Sequence, residues 1–329
     1  MGFWTKKRVL VTGGAGFIGS YLTELLVEEG AKVTVADNLV RGTKSRLHKV
    51  ADKIDLKKED LFDYKNCLKV CKGQEVVLNL AAKVTGIEYN RFHMGDMFES
   101  NMMLQMNVLR AAAESKVRRF LQISTACVYP HDARVPTPES EGQKCSPEPT
   151  NEGYGLAKLM GEKLAQYYTK ERRMEVAIGR PFNAYGPRDH FDEATSHVIP
   201  AIMKRVLDGD DPVVIWGTGN QSRAFVHAKD IARGMMLIAE KAPAATPVNI
   251  GHDQEVTMKE LFQVICRVVG KHPKPYYDTS KPDGYSRRSA DTTLLKKFTG
   301  FVPSISLEQG IREMHEWFLS QKSKKLAKV

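Results

Sequence analysis

The chain of 329 residues has no apolar run approaching the roughly 18 residues of a membrane-spanning helix. Its first strand-like segment follows Lys6-Lys7-Arg8 without the apolar stretch and small-residue cleavage site of a secretory signal. At the Met1-Gly2 start, Lys6 stands where a myristoylation signal carries Ser or Thr. These absences read as a cytoplasmic protein with no membrane partner. Cysteine is also scarce. Cys67, Cys71, Cys127, Cys145 and Cys266 are five scattered residues, an odd number, which excludes a disulfide framework and implies free thiols in a reducing compartment. Cys67 and Cys71 lie four apart with no second ligand pair nearby, so they read as two half-buried thiols and no metal is expected. No internal repeat and no low-complexity segment occurs.

Charge is abundant. Lys and Arg number 49 against 39 Asp and Glu, a net +10. The basic residues are dispersed except in the tail QKSKKLAKV, which reads as a solvated end, so nucleic acid is not the expected partner. A polyanionic small ligand accounts for the excess equally well.

The hydrophobic pattern alternates strands and helices. RVLVT, AKVTVAD, KIDLKKED, QEVVLNLAA, RRFLQIS and EVAIGRP read as six strands, with helices between them such as MFESNMMLQMNVLRAAAES and YGLAKLMGEKLAQYYTKE. The expected fold class is α/β: a Rossmann-type, doubly wound parallel sheet. Past Pro181 the regularity breaks into short strands and helices. Residues 1–180 are therefore taken as a nucleotide-binding domain and 181–329 as a smaller α/β substrate lobe, with some crossing of the chain between them.

TGGAGFIGS joins the first strand to the first helix. Gly14, Gly16 and Gly19 satisfy G-x-G-x-x-G, and Gly13, Gly16 and Gly19 the wider G-x-x-G-x-x-G. Glycines here let the backbone approach a pyrophosphate at the helix N-terminus. Asp37 ends the second strand, 18 residues after Gly19, where a carboxylate bonds the adenosine ribose and repels a 2′-phosphate. That favours NAD over NADP, with Arg41 nearby as a countervailing cation. Asp60 follows the third strand, placed to meet the adenine amine.

YGLAK sets Tyr154 and Lys158 four apart on one helical face. A tyrosine becomes a usable base when an ammonium stabilises its phenolate. Thr125, at the end of the fifth strand, can hold a substrate oxygen beside Tyr154. Two residues on stands Cys127, which reads as core filler or as an acid/base facing substrate.

TGGAGFIGS, NLAA, STACVYP, YGLAK and RPFNAYGP resemble the extended short-chain dehydrogenase/reductase family that acts on nucleotide sugars. Within it, KVTGI, EPTNEGYGLAK, SHVIPAIMKR, WGTG and SKPDG are similar to the GDP-L-fucose synthase branch; NCLKV, STACVYP and NIGHDQEVTMKEL are similar to the GDP-mannose 3,5-epimerase branch. Both branches epimerise carbons flanking a 4-keto group and carry cysteine at the position of Cys127. At His197 the fucose synthases have histidine and the mannose epimerases lysine. The resemblance implies Cys127 and His197 as the proton-exchanging pair; the plain alternative for His197 is a helix-start residue bonded to a backbone carbonyl. It also implies a cofactor lined by Phe17, Ile18, Asn38, Leu61, Ala81, Ala82 and Lys83. The substrate would meet Asn183, Val198, Arg223 and Arg288, the arginines gripping its diphosphate. Arg287 is a further candidate for that grip. Two departures bear on the activity. Asp37 is unusual for the NADPH-consuming fucose synthases, so a cofactor reduced and reoxidised in place is expected. Ala126-Cys127 stand where a 4,6-dehydratase has Asp-Glu, which disfavours dehydration. The expected protein is an NAD-dependent epimerase of a nucleotide-diphosphate sugar, GDP-linked in preference to UDP-linked, and by analogy a homodimer through the helices at 97–115 and 153–170. The rivals are a fucose-synthase-like reductase, a simple UDP-sugar 4-epimerase and a non-catalytic NAD-binding protein.

Overall fold

A computed structural model describes residues 2–144, 147–191, 196–281 and 285–326. The first half largely alternates strands and helices: β1 (Arg8–Thr12), α1 (Phe17–Glu28), β2 (Lys32–Asp37), β3 (Ile54–Lys58), α2 (Tyr64–Cys71), β4 (Val76–Asn79), α3 (Ile87–Phe92), α4 (Met94–Glu114), β5 (Arg119–Ile123), α5 (Glu152–Glu171) and β6 (Glu175–Pro181). The second half is more broken: β7 (Ala184–Tyr185), α6 (Val198–Asp208), β8 (Val213–Trp216), β9 (Ser222–Arg223), β10 (Val226–His227), α7 (Ala228–Lys241), β11 (Pro247–Ile250), β12 (Val256–Thr257), α8 (Met258–Val269), β13 (Pro275–Asp278), β14 (Arg287–Arg288), α9 (Thr293–Thr299) and α10 (Leu307–Leu326).

The main sheet has seven parallel strands in the order β11-β6-β5-β4-β1-β2-β3. The order reverses between β1 and β4, and ligands of such sheets bind in the crevice at that switch point. Six strands were legible as a sheet in the sequence. The seventh, β11, comes from the region assigned to the substrate lobe and pairs with β6 in the register Val248↔Gly179. β4 and β5 are buried along their whole length, as strands covered on both faces must be.

Alternation along β1 divides the core. Val9 and Val11 face a cluster with Leu22 and Leu26 of α1 and Ile231 and Met235 of α7. Leu10 faces the other cluster, with Cys67, Val70 and Cys71 of α2 and Leu104 and Val108 of α4. Cys67 and Cys71 are thus fully buried rather than half-buried, and burial pushes both thiols up to about 12. Cys266 is also a buried free thiol, Cys127 is half-buried and free, and Cys145 lies outside the described residues. A third cluster holds the second lobe together, with Ile199, Ile202 and Met203 of α6 against Leu261 and Ile265 of α8 and Met314 of α10. No helix is long and apolar enough to cross a membrane among the described residues.

Candidate active site

The turn after β1 is shaped by what glycine alone permits. Gly13 adopts φ 68°, and a Cβ on it would come within 3.0 Å of the Ala81 amide nitrogen. A Cβ on Gly19 would lie 2.2 Å from the Gly13 carbonyl oxygen, so nothing larger than hydrogen fits. α1, twelve residues long, starts at Gly16 with no side-chain cap. Its first backbone N–H groups lack an intrahelical partner and suit an anion. Phe17 and Ile18 open that helix half-buried. Asp37 is buried at the end of β2, where Oδ2 accepts from the Ala15 amide of the glycine turn at 3.0 Å and Oδ1 from the Leu39 amide at 2.8 Å.

The other cofactor candidates sort by their neighbours. Asn38 and Asp60 are exposed, and each carboxamide or carboxylate oxygen accepts from an amide two residues on, Val40 and Phe62. Leu61 is core; its carbonyl accepts from Cys67 and Asn107, which leaves only backbone to meet a ligand. The Ala81 amide donates to Thr12 Oγ1 at 3.1 Å, and Ala82 is half-buried beside it. Lys83 pairs with Asp96 at 2.5 Å, and that hydrogen bond raises its pKa. The arrangement fits a dinucleotide: a glycine cradle no Cβ could share, uncapped helix amides, and a buried carboxylate at the end of the second strand. Ser124 Oγ, buried at the end of β5 with no hydrogen-bond partner, is a further polar atom placed for a ligand.

Two residues past β5 stands Thr125, whose Oγ1 accepts from the Cys127 amide at 3.2 Å and caps a short 3-10 turn over Ala126–Val128. That turn presents Thr125 and Cys127 to Tyr154, one turn into α5. Burial drives the Tyr154 phenol well above its usual value; the Cys127 charge adds to this, and a hydrogen bond with Thr125 opposes it. Lys158 is buried, and burial brings its ammonium down to about 8. Its Nζ donates to the Ile123 carbonyl at 3.1 Å and lies 5.8 Å from the Tyr154 ring centroid. Lys158 is thus held by the β5 end and lies near the Tyr154 ring without a hydrogen bond to its hydroxyl.

β9 and β14 pair in parallel with Arg223 opposite Arg288, so the register sets the two arginines side by side. Arg223 donates to the Ser222 and Tyr285 carbonyls at 2.8 and 2.7 Å. Arg288 Nη2 approaches Cys127 Sγ at 3.7 Å and its guanidinium lies 4.9 Å from the Tyr285 ring centroid. Arg287 points elsewhere, bidentate on Glu255 at 3.1 and 2.7 Å. Asn183 donates its amide to the Ala224 carbonyl at 2.9 Å, fixing the start of this lobe.

His197 is the residue before α6, exposed, with Val198 exposed beside it. Its ring bonds neither a backbone carbonyl nor the helix: Nδ1 lies 2.9 and 3.2 Å from the two oxygens of Asp189. Partial desolvation of the ring opposes its charged form, but the charge and hydrogen bond of Asp189 outweigh this and the net shift of its pKa is upward. The fold thus gathers Thr125, Cys127, Tyr154, Lys158 and Arg288 around one turn, while among the described residues the hydrogen bonds of the His197 ring run to Asp189. Asp189, and Arg46 with Nη1 2.9 Å from the Arg41 carbonyl beside the glycine turn, escaped the sequence reading. The signal for Asp189 was RDH directly after YGP, a polar triplet where the chain leaves the sheet.

Comparison with known proteins agrees with this geometry. Residues 9–251 match the family described as the NAD dependent epimerase/dehydratase family. The chain is similar to GDP-L-fucose synthase 1 of Arabidopsis thaliana, 35% identical over 318 residues that cover 95% of this chain and 94% of that protein. It is 31% identical over 322 residues to GDP-mannose 3,5-epimerase 1 of Oryza sativa subsp. japonica, covering 96% of this chain and 82% of that one. Among solved structures, the UDP-glucose 4-epimerase of Thermotoga maritima, with UDP-glucose, superposes with a TM-score of 0.86 at 28% identity, covering 96% of this chain and 99% of that one. Sequence match, fold and glycine turn coincide over the same residues, and the chain belongs to the NAD dependent epimerase/dehydratase family.

Proposed function

We propose that the protein is an NAD-dependent epimerase of a GDP-sugar that works through a 4-keto intermediate and inverts C3, C5 or both. The observation that carries this reading is the place of Cys127. Its thiol is half-buried against Arg288 and bears electrostatically on Tyr154, so it belongs to the reacting end of the site rather than to the core. A C4 ketone acidifies the adjacent C–H bonds, and inversion there needs groups that deliver and remove protons at carbon.

Tyr154 takes the proton of the C4 hydroxyl, with Thr125 holding that oxygen and the Lys158 ammonium favouring the phenolate. NAD, when bound, supplies a hydride acceptor that later returns the hydride. Cys127 and His197 move protons at C3 or C5, and Arg223 and Arg288 hold the diphosphate. Asp37 supports NAD, because a 2′-phosphate would meet its carboxylate. Exposed apolar side chains on α4 and α5, among them Phe98, Met106 and Tyr167, support a homodimer through these helices.

The test is incubation with GDP- and UDP-sugars in deuterated water without added reduced cofactor, followed by NMR of the product. Deuterium is expected at C3 or C5 of a GDP-sugar, and Cys127→Ser should lower its incorporation by about 10²-fold or more while oxidation at C4 survives. Turnover without deuterium at either carbon would leave a 4-epimerase with an idle thiol. A second reading, a fucose-synthase-type epimerase that also reduces C4 with NADPH, is favoured by Arg46, on which the charges of both Asp37 and Arg41 act. It predicts conversion only when NADPH is added.

A further inference from the structure

The loop after β7 is fastened to the nucleotide-binding helix by an unusual set of contacts. Arg188 adopts φ 72°, a left-handed conformation that costs a non-glycine residue about 1 kcal/mol or more. It is buried, and α1 holds it on three successive contacts. Nη1 donates to Ser20 Oγ at 3.1 Å, Nη2 pairs with Glu24 Oε1 at 2.7 Å, and the guanidinium lies 4.2 Å from the Tyr21 ring centroid. The Tyr21 hydroxyl donates to the Pro187 carbonyl at 3.1 Å. Residues 187 and 188 are therefore clamped to the helix that begins at the glycine turn.

Asp189 is the next residue. Its side chain is 1% exposed, against 54% for the side chain of His197, which it meets with both oxygens. Oδ1 also accepts from the His190 amide at 2.8 Å, which fixes the carboxylate on its own loop. A buried carboxylate facing one ring nitrogen of an exposed imidazole selects the tautomer and leaves the other nitrogen outward.

We propose that Asp189 is the positioning residue for His197: its carboxylate accepts a hydrogen bond from Nδ1–H, leaves Nε2 to exchange a proton with substrate, and ties that nitrogen through Arg188 to the helix that carries the cofactor turn. The proposal rests on the acid/base role of His197 given above. The arrangement makes the substrate lobe's proton donor a dependant of α1, so one rigid element sets both ends of the reaction.

The test has a readout apart from catalysis. Long-range ¹⁵N–¹H NMR of the intact protein reports the tautomer and titration of His197; the charged and titratable groups that bear on it are Asp189, Arg41 and His190, with Arg46 facing Asp189. The wild-type neutral ring should be the Nδ1–H tautomer. An Nε2–H ring would overturn the proposal without any variant. In Asp189→Asn, which keeps the shape and loses the charge, His197 should titrate at lower pH and deuterium exchange should fall about tenfold or more, with KM little changed. Asp189→Glu should restore part of both. Titration of His197 unmoved in Asp189→Asn would refute the proposal whatever the activity. Should titration move while His197→Gln leaves exchange intact, the carboxylate orients the ring as proposed, and it is the acid/base role of His197 that fails.

Discussion

Replacing Glu162 by Gln removes one charge from a site sealed against water. Glu162 and Arg180 are each 3% exposed, and the carboxylate grips the guanidinium twice, Nε to Oε1 at 2.8 Å and Nη2 to Oε2 at 2.6 Å. Burial lowers the pKa of Arg180, but the Glu162 carboxylate more than reverses this, so the cation is kept charged by its partner. The remaining donors go to the Tyr129 hydroxyl at 3.0 Å and the Glu139 carbonyl at 2.8 Å, neither of which is an anion. Glutamine keeps the shape and one acceptor, and takes away the carboxylate that binds the guanidinium directly. Breaking a buried pair in this way costs about 3–5 kcal/mol. Glu162 lies one helical turn beyond Lys158 on α5, and Arg180 lies on β6, so the pair seats that helix on the sheet. Urea unfolding should show the loss as a lower midpoint with an unchanged slope. The double variant Glu162→Leu/Arg180→Met should recover most of it, because both desolvated charges leave together. A single variant that loses less than about 1 kcal/mol, or a double variant as unstable as the single one, would refute the argument.

Tyr154→Phe should lower hydride transfer by about 10²-fold or more while cofactor titration is unchanged, since the ring packs and only the hydroxyl reacts. Asp37→Ala should weaken NAD by about ten- to hundredfold and narrow the gap between NAD and NADP, read by fluorescence titration; an unchanged preference would remove Asp37 from recognition. Lys158 is charged below its folded pKa of about 8, so kcat/KM should fall as pH rises through that region, and a profile flat to about pH 10 would show its charge is not needed.

The parts legible in the sequence were those written in local periodicity. Six strands, the glycine turn, the Tyr154–Lys158 face and the Thr125–Cys127 turn are each carried by a few consecutive residues. What escaped depends on pairing across the chain. β11 is four residues long, too short to announce its sheet, and only its ladder to β6 assigns it. Asp189 is one polar residue in a loop until the start of α6 brings His197 to it. Lys158 was read as lying beside the phenolate; the i,i+4 spacing gave the shared face, but the Ile123 carbonyl that holds the ammonium comes from β5. Nothing local marks Arg180 and Glu162 as a pair, and their burial follows from how α5 lies on the sheet.

The seventh strand has a consequence for how this protein can be taken apart or recombined. Because β11 closes the edge of the main sheet beside β6, and α7 covers one face of it, residues 228–250 belong structurally with the first 181. No single cut separates nucleotide binding from substrate binding. A fragment ending at 180 would expose the edge of β6 and the apolar surface under Ile231 and Met235, and would be prone to aggregate. An exchange of the substrate lobe with that of a relative therefore has to be done as two insertions, one between β6 and α7 and one after β11. The second lobe is in that sense an insertion into the sheet, and a graft that ignores β11 would leave the β6 edge unpaired.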